Sequence, residues 1–238
     1  MPDKRKHRGQ HPQDASLFAE KQLPNLRIAV EDFSYLLTKG YAPNASLKLV
    51  GDRFRLKERQ RMAVRRCGCD AMTAETIAAK ECSKEAVNRQ SIELDGFNVL
   101  IIVESALSGG LILKGYDHCY KDLASIHSTY KKVLETEKAI EIIGNGLEAL
   151  EITEVSWFLD RPVSNSGRLK QILLAYAEKH SLDWEVHLVF NPDKTLIERQ
   201  NLVASSDSIV VRESKNWFNL TGFLIDNYIK NAQIIDLN

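Results

Sequence analysis

The chain reads as an α/β protein: a doubly wound, mainly parallel sheet preceded by a small all-helical N-terminal domain. Three observations predict this. No strand-like alternation appears before residue 90. Beyond it, short apolar runs alternate with helical periodicity at the spacing of strand–helix–strand units. Four of those runs lead into an aspartate, Asp95, Asp160, Asp193 and Asp207, at the carboxyl ends of strands, where an open parallel sheet places its ligand crevice.

Residues 1–13 (MPDKRKHRGQHPQ) are polar, basic and carry two prolines, which predicts a disordered basic arm. Residues 14–88 form the helical domain. Asp14 or Ser16 can cap a first helix. A second follows Pro24, with Leu26, Val30, Phe33, Leu36 and Leu37 on one face and Gly40 as its stop. A short helix from Pro43 breaks at Gly51-Asp52, and a basic helix runs from Leu56 to Arg66. These two have helix-turn-helix proportions. Arg53, Arg55, Lys57, Arg59, Arg61, Arg65 and Arg66 form a candidate phosphate-binding cluster, although a solvated helix face gives the same pattern. Cys67 to Val87 continues as helix or linker, with Thr73 as a cap.

Residues 89–238 form the α/β domain. The pattern predicts a strand at 91–95, a helix over 99–107 ended by Gly109-Gly110, and a hairpin over 111–123 turning near Asp117-His118. A helix over 130–150, a strand at 155–159, a helix over 167–180 and a strand at 185–190 follow. A helical turn over 193–199 leads to a strand at 201–205.

Composition narrows the function class. The apolar fraction is 44% and the charged fraction 27%, ordinary for a soluble domain. No apolar run reaches the roughly 20 residues of a membrane span, and the start carries no signal-like apolar stretch, so a cytoplasmic protein is expected. Cys67, Cys69, Cys82 and Cys119 are then reduced thiols. Cys67-Gly68-Cys69 lacks the second pair or the spaced histidines of a zinc site. The zero net charge hides an asymmetry: residues 1–66 hold 15 Lys and Arg against 7 Asp and Glu, the remainder 17 against 25. A basic end and an acidic site fit a protein that handles a polyanion; a basic tail with a solvated helix face gives the same count.

The acids carry the chemistry. Carboxylates converging on one crevice repel unless a cation neutralises them, and Mg²⁺ or Mn²⁺ prefers oxygen ligands and suits phosphoryl chemistry. Asp95, Asp160 and Asp207 are the candidate metal ligands and Asp193 assists them. In Asp95-Gly96-Phe97-Asn98 the glycine allows a tight strand exit, and Asn98 can orient a neighbouring carboxylate. In Asp160-Arg161-Pro162-Val163-Ser164-Asn165-Ser166-Gly167, the Ser164, Asn165 and Ser166 side chains with helix amides can hold a phosphate or cap the helix. Ser206 supports Asp207. Around the hairpin, Asp117 and Asp122 are candidate further acids, and His118 and His127 stand near them; a single histidine is more often structural. The absence of a Gly-x-x-x-x-Gly-Lys-Ser/Thr string weighs against a nucleotide-dependent phosphotransferase.

The order Asp-Gly-Phe-Asn, Leu-Asp, Asp-Lys, Ser-Ser-Asp resembles the PIN-like nuclease superfamily, especially its NYN branch, over about residues 91–212. That resemblance implies a PIN-like fold, bound Mg²⁺ or Mn²⁺, and cleavage of nucleic acid, RNA rather than DNA. It also implies an acid on a helix between the first two metal-binding strands, a role for Glu104, Asp117 or Asp122. Over residues 14–220 the chain also resembles a conserved, uncharacterised prokaryotic family. There a helical domain, here from Tyr35-Leu36-Leu37 to Val50-Gly51-Asp52-Arg53-Phe54-Arg55-Leu56, precedes one with Asp-Gly-Phe-Asn-Val-Leu and Pro-Val-Ser-Asn-Ser-Gly. The expected function is a metal-dependent nuclease with no membrane partner and homo-oligomerisation left open. The alternative is a non-catalytic nucleic-acid-binding or regulatory protein on the same sheet.

Overall fold

The computed structural model describes residues 7–124 and 129–238. His127 and the first six residues of the basic arm lie outside the described residues. The N-terminal part is α1 (Asp14–Leu17), α2 (Leu23–Thr38), α3 (Pro43–Arg53), α4 (Glu58–Cys67), α5 (Ala71–Lys80) and α6 (Lys84–Val87). There follow β1 (Ser91–Asp95), α7 (Gly96–Leu107), β2 (Leu111–Lys114), β3 (Tyr120–Asp122), α8 (Thr136–Ala149), β4 (Glu154–Asp160) and α9 (Ser166–His180). The chain continues with β5 (Trp184–Val189), α10 (Pro192–Arg199), β6 (Leu202–Ala204), α11 (Ser208–Glu213), β7 (Asn216–Trp217), α12 (Leu220–Tyr228) and β8 (Gln233–Asp236).

Five strands form a parallel sheet in the order β5-β4-β1-β6-β7. The strand order reverses between β1 and β6, which makes that junction the topological switch point, where ligands bind in doubly wound sheets. Alternation along the strands sorts the two faces. Leu94 and Trp157 share a core with α7, α8, α9 and α12 through Ile102, Ile143, Leu173 and Leu224. Phe158 and Val203 face the other way, onto Leu196 of α10 and Val210 of α11. Glu93 pairs in register with Val203, and Asp95 with Phe158, so Asp95 lies on the α10/α11 face.

A second sheet of three strands, β3-β2-β8, joins the two parts of the chain. Its β2 pairs antiparallel with β3 and parallel with β8. Leu111 and Leu113 point into one core with Leu26, Phe33, Val50 and Val64 of the N-terminal helices. Ile112, between them, joins the core of the large sheet. The hairpin is therefore the layer on which the helical module docks.

Several sequence expectations need correction. α3 runs through Gly51 to Arg53 rather than breaking at Gly51. The glycine serves a close approach instead: a Cβ there would stand 2.1 Å from an Arg61 guanidinium nitrogen. α5 is capped by Asp70, whose carboxylate accepts from the Thr73 amide at 2.9 Å, so Thr73 is the capped residue and not the cap. Residues 7–13, expected to be disordered, are instead held in place. Arg8 pairs with the buried Glu104 and its guanidinium lies over the Tyr130 ring, while His7 bonds Glu135 at 2.6 Å. A buried carboxylate needs a counter-charge, and the arm supplies it.

Candidate acidic site at the switch point

Each aspartate reaches the site by a different local device. Asp95 ends β1, and α7 starts at once with Gly96. A Cβ on Gly96 would sit 2.6 Å from a Leu159 methyl and 2.9 Å from the Phe158 carbonyl oxygen, so only glycine lets this strand exit pass β4. Asp160 ends β4, two residues beyond Phe158, the register partner of Asp95. Asp193 stands in the first turn of α10. Asp207 is the N-cap of α11 and accepts from the Ile209 amide at 2.8 Å.

The four acids form one electrostatic group graded from the interior outward. Asp95 is buried, Asp160 and Asp207 are half-buried, and Asp193 is at the surface. Burial pushes the Asp95 carboxyl up to about 7; a hydrogen bond from Ser205 acts against the rise, and the charges of Asp193, Asp207 and Asp160 add to it. Asp193 is raised by partial burial of its carboxyl and then by Asp207 and Asp160. Asp160 is raised by burial. Among the described residues, no three or more His, Cys, Asp or Glu side chains are placed so as to hold a metal ion between them.

The loop carrying Asp207 is the most heavily braced part of the site. Ser205 Oγ donates to Asp95 Oδ2 at 2.7 Å and accepts from the Asp207 amide at 3.0 Å. Asn98 Oδ1 accepts from the Ser206 amide at 2.8 Å, so Asn98 orients loop backbone and not a carboxylate as expected. Ser206 Oγ meets Thr221 Oγ1 at 3.0 Å. Lys121 Nζ donates to the Ser206 carbonyl at 2.7 Å and to Asp117 Oδ2 at 2.6 Å, and Ser208 Oγ donates to the same Asp117 oxygen at 2.6 Å. Burial opposes the Lys121 charge, but Asp117 beside it more than offsets this and holds the ammonium above its ordinary value. Lys121 and Thr221 escaped the sequence reading, and Ser205 entered it only as part of the Ser-Ser-Asp motif, with no role of its own. Ser205 was legible by parity, two residues after Val203; Asp117 stands only four positions from Lys121, but the Ser206 carbonyl that Lys121 also holds lies 85 positions away.

Other candidates take different places. Glu104 is fully buried and bonded to Arg8, Tyr130 and Thr136. Asp122 pairs with Arg66. Asp117 braces the Asp207 loop from behind. Ser164 accepts from the Tyr130 amide through its carbonyl, and Asn165 Nδ2 donates to the Tyr130 carbonyl at 2.8 Å. Asn165 adopts φ 69 as the N-cap of α9, without a side-chain cap bond, and Ser166 is buried behind it. In the basic cluster, Arg53 pairs with Asp32, Arg59 with buried Asp14, and Arg61 with Asp52. Arg65 bonds the Asn44 side chain. Lys57 is the N-cap of α4, its amide donating to Gln60 Oε1 at 3.0 Å, and Arg55 turns the chain at φ 51.

The fold and site define an α/β protein with a group of mutually repelling aspartates beside a topological switch point. The chain belongs to the family described as a domain of unknown function (DUF5616), whose model matches residues 84–223. A second model, a protein of unknown function (DUF434), matches residues 25–80. The chain is 30% identical over 188 residues to the uncharacterized protein MJ0935 of Methanocaldococcus jannaschii, a match covering 79% of this chain and 89% of that one. No solved structure matches the chain. Among the described residues, no helix is long and apolar enough to cross a membrane.

Proposed function

We propose that the chain is a divalent-metal-dependent nuclease acting on phosphodiester bonds, in RNA rather than DNA. The observation that supports this reading is the Asp95 carboxyl, buried beside the switch point and pushed up to about 7 partly by three further aspartates. Like charges gathered in a crevice favour a site that takes up a cation. The donor set is all oxygen, which suits Mg²⁺ or Mn²⁺. Mg²⁺ is usually held by one or two carboxylates plus water and substrate phosphates, so a cage of three protein ligands is not required. Asp95, Asp160 and Asp207 are the residues that would hold it, directly or through water, with Asp193 at the rim. A bound ion would supply Lewis-acid activation of water and offset charge on the scissile phosphate. Asp95 would have to be ionised to serve as a ligand; Ser205 donates to its carboxylate, and the Lys121–Asp117 pair holds the Asp207 loop through the Ser206 carbonyl and Ser208. The choice of RNA rests on the likeness of the strand-exit motifs to PIN-like nucleases.

The test is cleavage of single-stranded RNA by the full chain with Mn²⁺. Activity should vanish in Asp95→Asn while thermal unfolding stays cooperative. A folded Asp95→Asn protein with full activity would overturn the mechanism. RNA binding without cleavage in the parent protein would favour the non-catalytic alternative.

A further inference from the structure

We propose that Phe190 and Arg161 form a stacking platform that seats a base of single-stranded nucleic acid beside the acidic site. The inference rests on the nuclease reading and narrows its substrate to unpaired strands. Phe190 directly follows the edge strand β5 and is 73% exposed. Burial therefore does not account for a phenylalanine at this position. The Arg161 guanidinium lies over the ring, 5.1 Å from its centroid. The Arg161 amide donates to the Val189 carbonyl at 2.7 Å, which fixes the two residues on adjacent strand ends.

Their place in the chain ties them to the site. Asp160 immediately precedes Arg161, and Asp193 lies three residues after Phe190. The charges of both acids act on Asp95. The ring offers a π face to any base, and stacking on an exposed aromatic is tolerant of sequence. The guanidinium is a donor matched to phosphate oxygens and also stacks on planar groups. A duplex keeps its bases stacked on one another, and extruding one costs unstacking energy. The pair therefore favours a single strand over a duplex.

The experiment measures binding of the full chain to a labelled uridine oligoribonucleotide of about 12 residues, within the usual span of such sites, and to an RNA duplex, both in EDTA. Phe190→Ala and Phe190→Leu should each weaken single-strand binding about tenfold, within the range for one stacked base, and leave duplex binding unchanged. Phe190→Trp should keep the affinity. Its new indole should be quenched by the RNA, because Trp157, Trp184 and Trp217 are all buried. Equal single-strand affinity of Phe190→Ala and the parent would overturn the platform. So would Phe190→Leu binding like the parent, which would mark the residue as a plain apolar contact. If the variants behave as expected but the parent does not cleave with Mn²⁺, the nuclease reading falls and the platform stands. If the parent cleaves and Phe190→Ala binds normally, only the platform falls. If the parent binds no RNA, both fall.

Discussion

The Ser205 hydroxyl donates to the Asp95 carboxylate at 2.7 Å, from the end of β6 to the end of β1, across the point where the strand order reverses. The same oxygen accepts the Asp207 amide. One hydroxyl thus links the most buried of the four acids to the loop that carries another.

Asp95 should make the metal-free protein less stable as pH rises. Its carboxyl, ordinarily near 3.8, is pushed up to about 7 in the fold. Between those values the folded state binds more protons than the unfolded chain, so stability falls with rising pH through that window and levels off above it. Asp95→Asn should therefore raise the melting temperature at pH 8 and leave it nearly unchanged at pH 4. Each kcal/mol corresponds to roughly 2–4 °C in a chain of this size. A melting temperature at pH 8 unaffected by the substitution would refute the buried charge.

Divalent ions should act in the opposite pH sense. A proton and a cation compete for the same carboxylate, so Mg²⁺ or Mn²⁺ should raise the melting temperature at pH 8 more than at pH 5.5. Asp95→Asn should lose most of that gain. Calorimetric melts with and without ion, at both pH values, check this. Equal gains at the two pH values would place ion binding elsewhere.

Ser205→Ala removes one bond that favours the ionised form of Asp95. The carboxyl should titrate higher still, and the pH profile of Mn²⁺-dependent cleavage should move to higher pH. The stability cost should be about 1–2 kcal/mol, one buried hydrogen bond with an unsatisfied partner. An unmoved pH profile would show that Ser205 only packs.

Lys121→Met should be costly for a different reason. It leaves Asp117 buried without its cation, a loss of about 3–5 kcal/mol for such pairs. Replacing both partners by leucine should be less damaging than either single change, because no charge is then stranded. Chemical denaturation of Lys121→Met, Asp117→Leu and the double leucine variant tests the order, and a double variant less stable than both singles would refute it.

Arg59→Ala should destabilise the fold by about 3–5 kcal/mol, since it strands the buried Asp14. The basic helix thus serves the interior at this position. A loss of RNA binding in Arg59 variants has to be read beside their melting curves. An unchanged melting temperature would return Arg59 to the surface cluster.

Much of this architecture was legible because periodicity is local. The strand–helix alternation from Ser91 to Ala204 follows from apolar spacing, and the carboxyl ends of strands are where an open parallel sheet places its ligands. Elements beyond Asp207 carry weaker signals: β7 has two residues and α11 six, too short for a period to show. β8 is largely exposed, and its pairing with β2 spans more than a hundred positions, beyond the reach of any local pattern.

The sequence by itself determined which residues could bear charge at the strand ends, and that a glycine follows Asp95. The tertiary structure decided which charges stay unpaired. Arg59, Arg61 and Arg66 look like a surface cluster in the sequence, but each meets a carboxylate from another segment. Asp95, equally plain in the sequence, meets, among the described residues, the Ser205 hydroxyl and the charges of Asp160, Asp193 and Asp207. The difference is long-range electrostatics: a charge is satisfied or frustrated by partners that the chain brings close only on folding, and spacing along the sequence does not encode them.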